Sequence, residues 1–212
     1  MMFSTWLAQR ILSPLPGREA HRRFIPNMKD ADLRLAAPPE TARKSAVLVP
    51  LIETSATDID VVLTVRSQSL SSHKGQISFP GGRIDTGETH IDAALREAHE
   101  EIGIHPTTSA VIGSLSPLYI PPSNSAVTPV LAIVEPPSVW VLNPAEVTEV
   151  LQVPLRKFLQ DGIFAERVGL IPQLPVSVPV WDIHPTIPLW GATAMMLHEV
   201  VVLFNEFQSE GT

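Results

Sequence analysis

The chain has no cysteine, which excludes disulfides, thiolate zinc sites and a cysteine nucleophile and removes any redox clue to compartment. It is also short of positive charge: Lys and Arg number 15 against 22 Asp and Glu, a net charge of −7. A nucleic-acid binder usually carries the opposite sign or a basic stripe. The nearest approach to one is Arg18, Arg22 and Arg23, so no nucleic-acid partner is expected. A small anionic ligand stays compatible, because a local cluster of cations or a bound metal overrides net charge. Long apolar runs are missing as well. Val200–Phe204, the longest near the end, is far too short to span a bilayer. Met1–Leu12 carries Trp6, Gln9 and Arg10 where a signal peptide would be continuously apolar. The expectation is a cytoplasmic protein with no membrane contact.

What the chain does have is proline, 21 among 212 residues. These are spread through the second half and around residues 13–38, which implies many loops and edge positions. The length suits one domain with decoration. Residues 3–12 have the spacing of a short amphipathic helix, and a Pro-rich arm follows to residue 43; residues 1–43 are therefore expected to pack as an arm on a domain covering 44–212. β-like runs occupy Ala46–Glu53, Ile59–Arg66, Gln76–Phe79, Ala110–Ile120 and Val127–Val134. A helix is expected to start at Asn143-Pro144 and run through Val147, Val150 and Leu151. Strand character returns near Val176–Trp181, and an apolar helix covers Trp190 to Phe207. Elements in this order read as α/β, a sandwich of a mixed β-sheet flanked by helices.

The most informative segment is Gly82–Ile104, GRIDTGETHIDAALREAHEEIGI. Thr89 and Asp92 have capping-box spacing, so a helix begins after Thr89. Gly103 sits where a left-handed terminating residue is wanted. Ile91, Ala94, Leu95, Ala98 and Ile102 form one stripe, which would pack on the sheet. Glu97, Glu100 and Glu101 are neighbours on another side, with Arg96 one turn before Glu100. Three adjacent carboxylates fit two descriptions. One is a solvated acidic face; the other is a site for a hard divalent cation, which takes oxygen ligands. The Gly81-Gly82 turn just upstream lets backbone approach the second.

Gly82, five residues, Glu88, seven residues, Arg96-Glu97-Ala98, one residue, Glu100-Glu101, one residue and Gly103-Ile104 together are similar to the complete Nudix box, with every fixed position filled. The resemblance implies a Nudix-type α/β/α sandwich over residues 44–212 and metal-dependent hydrolysis of a diphosphate bond. It implies that Glu97, Glu100 and Glu101, with the Gly82 carbonyl, bind Mg²⁺ or Mn²⁺. Arg96 would hold a helix carboxylate in place, and Glu88 would support the loop–helix geometry.

The flanks resemble the coenzyme A pyrophosphatase branch of that family. The likeness rests on Leu63-Thr64, Arg66-Ser67, Gly75 and Phe79-Pro80-Gly81-Gly82, and more loosely on Leu15–Ala20, Ser123, Val127-Thr128-Pro129, Glu146-Val147, Val153-Pro154-Leu155 and Trp190-Gly191 with Thr193-Ala194. The branch signature places an arginine at position 71, where this chain has Ser71. The implied substrate is coenzyme A or a derivative, cleaved to 3′,5′-adenosine bisphosphate and a 4′-phosphopantetheine product. Its 3′-phosphate calls for extra cationic donors, for which Arg66, His73 and Lys74 are the candidates. The bland alternatives are a surface ion pair for Arg66 and a turn position for Lys74. Phe79 is read either as core or as a platform for adenine.

A general base is expected among the glutamates of the acidic helix or on a later loop, where Glu146 and Glu149 are candidates, Glu146 first; the alternative for these two is helix-terminal glutamates favoured by the dipole. Ser78 has no evident base and reads as structural. The terminal helix reads as core, with a homodimer contact or a wall for the pantetheine arm as other uses, and His198 reads as surface. Competing functions are hydrolysis of another nucleoside diphosphate derivative (ADP-ribose, NADH, a nucleoside triphosphate) and a non-catalytic Nudix ligand-binding module.

Overall fold

The alternation of apolar residues along strand β1 (Arg43–Glu53) decides the layering. The computed structural model describes residues 1–28, 33, 35–70, 73–105, 110–171 and 174–210. Ala46, Leu48 and Ile52 face helix α3 (His90–Ile102), while Val49 and Leu51 face the opposite way, into the larger core. A strand buried on both faces needs a cover on each side. α3 supplies one. Helices α1 (Phe3–Arg10), α2 (Gly17–Arg22) and α4 (Gly191–Glu210) are on the other.

The sheet is mixed, as expected. β1 runs parallel to β7 (Ser125–Ile133) from the Arg43↔Ser125 pair to Leu51↔Ile133, and the crossover between them includes α3. The outer edge of β7 carries β5 (Val111–Ser114) and β6 (Leu118–Ile120). On its other edge β1 meets β2 (Ile59–Arg66) only at its far end, Leu51↔Val61 to Glu53↔Ile59. From there the two strands diverge. β4 (Gly81–Arg83) pairs with β1 through Ser45↔Arg83 and Val47↔Gly81, and β3 (Ile77–Ser78) pairs with β2 through Thr64↔Ser78. The β3–β4 segment therefore fills a fork in the sheet. β8 (Val147–Pro154) covers the far edge of β2. A smaller antiparallel sheet of β9 (Phe164–Val168), β10 (Ser177–Trp181) and β11 (Leu189–Trp190) lies against α4.

α3 begins and ends where the sequence places it. Thr89 Oγ1 accepts the Asp92 N–H at 3.1 Å, and Asp92 Oδ2 accepts the Thr89 N–H at 3.0 Å. Gly103 closes the helix in the left-handed conformation, φ 73°. Ala93, Ala94 and Ala98 are fully buried against β1 and β7, and their small side chains bring the helix close to the sheet. Nearly every turn of α4 is buried, from Ala194 to Phe207, as fits a helix that is apolar all round. Phe3 and Trp6 of α1 stack near Phe207.

Four readings of the sequence are corrected. The helix expected from Asn143 is instead a turn followed by β8. The register of β8 against β2 shifts between Val65 and Arg66; this bulge breaks the two-residue alternation and leaves Val147, Val150 and Leu151 at helix-like spacing. The β-branched residues Val147, Thr148, Val150 and Val153 suit the strand. Second, the arm contains α2, unforeseen among the prolines. Third, the single run Ala110–Ile120 is broken into β5 and β6. Fourth, His198 is half-buried, with Nδ1 2.6 Å from the Ala20 carbonyl. Its neighbour Glu199 is wholly buried, accepting the Gly17 N–H at 3.0 Å and the Ser116 hydroxyl at 2.7 Å, with His21 Nε2 at 3.1 Å. These bonds fasten α2 to α4. Among the described residues, no helix is long and apolar enough to cross a membrane.

Because α3 carries the acidic cluster, its start is a sensitive point. Thr89→Ala removes one half of the capping box and should lower stability by about 1 kcal/mol, read in urea denaturation, without changing the fold.

Candidate active site

Glu97 and Glu101 lie one turn apart on the edge of α3 nearest the fork. The third carboxylate, Glu146, comes from the turn that leads into β8. Each of the three offers an oxygen within 4.8 Å of the others. Glu100, expected in the same group, is outside it; its side chain is 52% exposed and among the described residues reaches only Arg96, at 3.4 Å.

The fork makes room for this cluster. Gly82 of β4 lies directly against Glu97, and a Cβ there would overlap its carboxylate. Glu101 points into the interior and is 1% exposed. Arg96 fastens the β4–α3 loop to the helix. Its Nε and Nη2 donate to Glu88 Oε1 and Oε2 at 2.7 and 3.1 Å, Nη1 donates to Glu97 Oε1 at 2.9 Å, and Nη2 also donates to the Arg83 carbonyl at 3.1 Å. Glu88 in turn accepts the Asp85 N–H at 2.9 Å.

The electrostatics follow from these contacts. The Arg96 hydrogen bonds and the Asp85 N–H hold the Glu88 carboxyl down at about 2. Burial pushes Glu97 above its ordinary range, against the hydrogen bond from Arg96. Burial pushes Glu101 up to about 8, opposed by the Arg66 guanidinium and reinforced by the charges of Glu146 and Glu97. Arg66, at the end of β2, has Nη1 3.8 Å from Glu101 Oε1, too far for a hydrogen bond. Among the described residues, Glu101 Oε2 and Arg66 Nε are both buried without a hydrogen-bond partner. Hard oxygen donors, an orphaned buried carboxylate oxygen and a cradle closed to any side chain larger than glycine together fit a divalent cation.

The NUDIX domain model matches residues 42–174. Nudix hydrolase 3 of Caenorhabditis elegans is 29% identical over 210 residues, covering 89% of this chain and 86% of its own. The uncharacterized Nudix hydrolase NudL of Salmonella paratyphi B is 36% identical over 165 residues, covering 76% of this chain and 82% of its own. Among solved structures, a MutT/nudix family protein from Enterococcus faecalis superposes with a TM-score of 0.50 at 18% identity, over 84% of this chain and 65% of that one; that likeness concerns the fold alone. The chain belongs to the Nudix hydrolase family. Nudix hydrolases act on diphosphate bonds and use divalent metal ions.

Within this Nudix domain the other predicted positions separate into two groups. Arg66 is not in a surface ion pair; its side chain is 20% exposed and faces the buried Glu101. His73 and Lys74 are exposed on the β2–β3 connection, with His73 at φ 55° and its Nδ1 2.9 Å from Gln76 Oε1. Phe79 is corrected. At 2% exposure it belongs to the larger core: just past β3, it follows the buried Ile77 by two positions and turns to the same side, and it leaves no ring face for a base. The Ser78 hydroxyl is 3.1 Å from that of Thr64, a structural use. Ser71 lies outside the described residues. Glu149 faces His184 at 3.3 Å, not the acidic cluster. Asn143-Pro144 does not start a helix; it forms the turn that delivers Glu146.

The raised pKa of Glu101 has a defined consequence for the metal-free protein. The unfolded chain releases this proton near 4.5 and the folded protein near 8. A raised folded pKa gives stability that is complete below the unfolded value and lost as pH rises through the folded one. With EDTA present, the thermal midpoint should therefore fall between about pH 5 and 8.5, and Glu101→Gln should flatten that fall. An unchanged slope in the variant would mean that Glu101 does not carry the effect.

Proposed function

We propose that the chain hydrolyses the diphosphate of coenzyme A or one of its derivatives, releasing 3′,5′-adenosine bisphosphate and 4′-phosphopantetheine or its acyl form. The observation that carries the hydrolytic half is the convergence of Glu97, Glu101 and Glu146. The substrate half is supported by the signature in residues 61–82 and by cationic side chains at both ends of the β2–β3 connection.

Glu97 and Glu101, with the Gly82 carbonyl and with Glu100 at the exposed rim, are the residues that would hold Mg²⁺ or Mn²⁺. The cation, when bound, offsets the negative charge by which a diphosphate repels an attacking water. Arg96 keeps Glu97 in place through its hydrogen bond and ties it to the Glu88 loop. Glu146, contributed by a different element from the helix carboxylates, would serve as the general base that accepts a proton from the attacking water, and its charge would add to the attraction for the cation. Arg66 is the innermost cation near the cluster and suits a diphosphate oxygen. His73 and Lys74, exposed on the same connection, suit the 3′-phosphate.

The test is a product assay with Mn²⁺ on coenzyme A, its 3′-dephospho form, ADP-ribose and NADH. We expect kcat/KM for coenzyme A to exceed that for the dephospho form by about tenfold or more, the worth of one charge-assisted hydrogen bond. Glu97→Gln and Glu101→Gln should each lower kcat by about 100-fold or more while the proteins stay folded. Equal rates with and without the 3′-phosphate would remove coenzyme A as the substrate and keep the hydrolase. A fully active Glu101→Gln protein would remove the metal-site assignment.

A further inference from the structure

Of the three clustered carboxylates, two ride on one helix and are aligned by it. The third does not: Glu146 sits in a turn, and its place relative to α3 must be set by something else. We infer that Asn143 is the positioning residue that sets it, an inference that rests on the proposed metal site.

The main chain of Asn143 joins the two halves of the cluster. Its N–H donates to the carbonyl of Glu101 at 2.9 Å, and its own carbonyl accepts the N–H groups of Glu146 at 2.9 Å and Val147 at 2.8 Å. The turn that carries Glu146 is thus hung from the residue that bears the buried carboxylate. From the other side, the Ser67 N–H donates to the Glu146 carbonyl at 2.7 Å, and the Ser69 hydroxyl donates to the Ala145 carbonyl at 3.0 Å.

The side chain then fixes the carboxylate itself. Oδ1 accepts the Ala145 N–H at 3.1 Å and Nδ2 donates to Glu146 Oε1 at 3.4 Å. Chemistry dictates this orientation, since the reversed amide would set donor against donor and oxygen against carboxylate. Among the described residues, this is the one side-chain hydrogen bond to the Glu146 carboxylate. Its neutrality matters. Arg66 and Arg96 already stand beside Glu101 and Glu97, and a third cation would compete with a metal ion for the same oxygens. An amide holds one oxygen and leaves the carboxylate its full charge, which attracts a cation in the cluster whether or not Glu146 ligates it.

The test is a double-mutant cycle on Mn²⁺ affinity, read from the free-ion paramagnetic resonance signal with the metal as the only added probe. Asn143→Ser keeps an oxygen to accept the Ala145 N–H but cannot reach Glu146; Asn143→Thr is a second probe of the same kind. Both should retain the wild-type melting temperature and bind Mn²⁺ about tenfold more weakly. In a Glu146→Ala background the same substitutions should cost nothing further. Wild-type affinity in the Asn143 variants, or an equal loss when Glu146 is absent, overturns the inference. Glu146→Ala binding Mn²⁺ as tightly as wild type would instead overturn Glu146's place in the metal site, and with it the basis for a role of Asn143.

Discussion

Mutual repulsion among Glu97, Glu101 and Glu146 is the constraint to which the surrounding structure answers. Burial disfavours ionisation here, and like charges this close add to the effect; both Glu97 and Glu101 are raised for these reasons. Each has one cation opposite it, but the two pairings differ. Arg96 grips Glu97 through a 2.9 Å hydrogen bond and is itself anchored on Glu88. Arg66 stays 3.8 Å from Glu101 and makes no hydrogen bond to it. The first contact is a fixed brace. The second supplies field at Oε1 without a hydrogen bond, and among the described residues Glu101 Oε2 has no hydrogen-bond partner.

The sheet provides the space. Had β1 and β2 paired along their whole length, β4 would have no edge on β1, and Gly82 would not lie beneath Glu97. Their divergence after Glu53↔Ile59 and Leu51↔Val61 opens that edge, and β3 and β4 satisfy the backbone groups it exposes. The fork thereby makes room for the charged cluster beside β1. The same divergence carries the end of β2, and with it Arg66, to the cluster.

The acidic helix was legible because its signals are local. Thr89, Asp92 and Gly103 act within a turn of themselves, and the apolar stripe has the helical period. Even the separation of Glu100 from its neighbours is implicit in that period. At about 100° per residue, Glu101 lies about 40° from Glu97 toward Ala94 and Ala98, while Glu100 lies about 60° away on the other side. Spacing alone groups all three; the direction of the apolar stripe separates them. What was illegible depends on pairing between distant segments. The bulge opposite Val65 and Arg66 cannot be seen in Val147–Leu151, and it alone makes a strand imitate a helix. Phe79 is ambiguous in sequence because an aromatic beside a Gly-Gly turn suits either core or ligand contact, and only the fold shows that its side chain continues the inward face begun by Ile77. The Glu199 cluster was missed because its partners, Gly17, His21 and Ser116, are far apart in the chain.

A buried acid with a free oxygen has two ways to be neutralised, by a proton or by a cation, and the two exclude each other at Glu101. Burial favours the proton when no metal is near, since desolvation penalises the charged form. A divalent cation reverses the preference, because its charge exceeds what Arg66 supplies from 3.8 Å and it can use the unpaired oxygen directly. The competition would be lost if Arg66 were closer, for a full salt bridge would satisfy Glu101 and leave a metal ion little to gain. It would also be lost if Glu146 drifted, because the repulsion from its charge helps to make a proton or a cation welcome. The spacing of Arg66 and the tethering of the Glu146 turn to Glu101 through Asn143 therefore serve one end. Both keep the helix carboxylate incompletely satisfied within the protein, and so available to a metal ion.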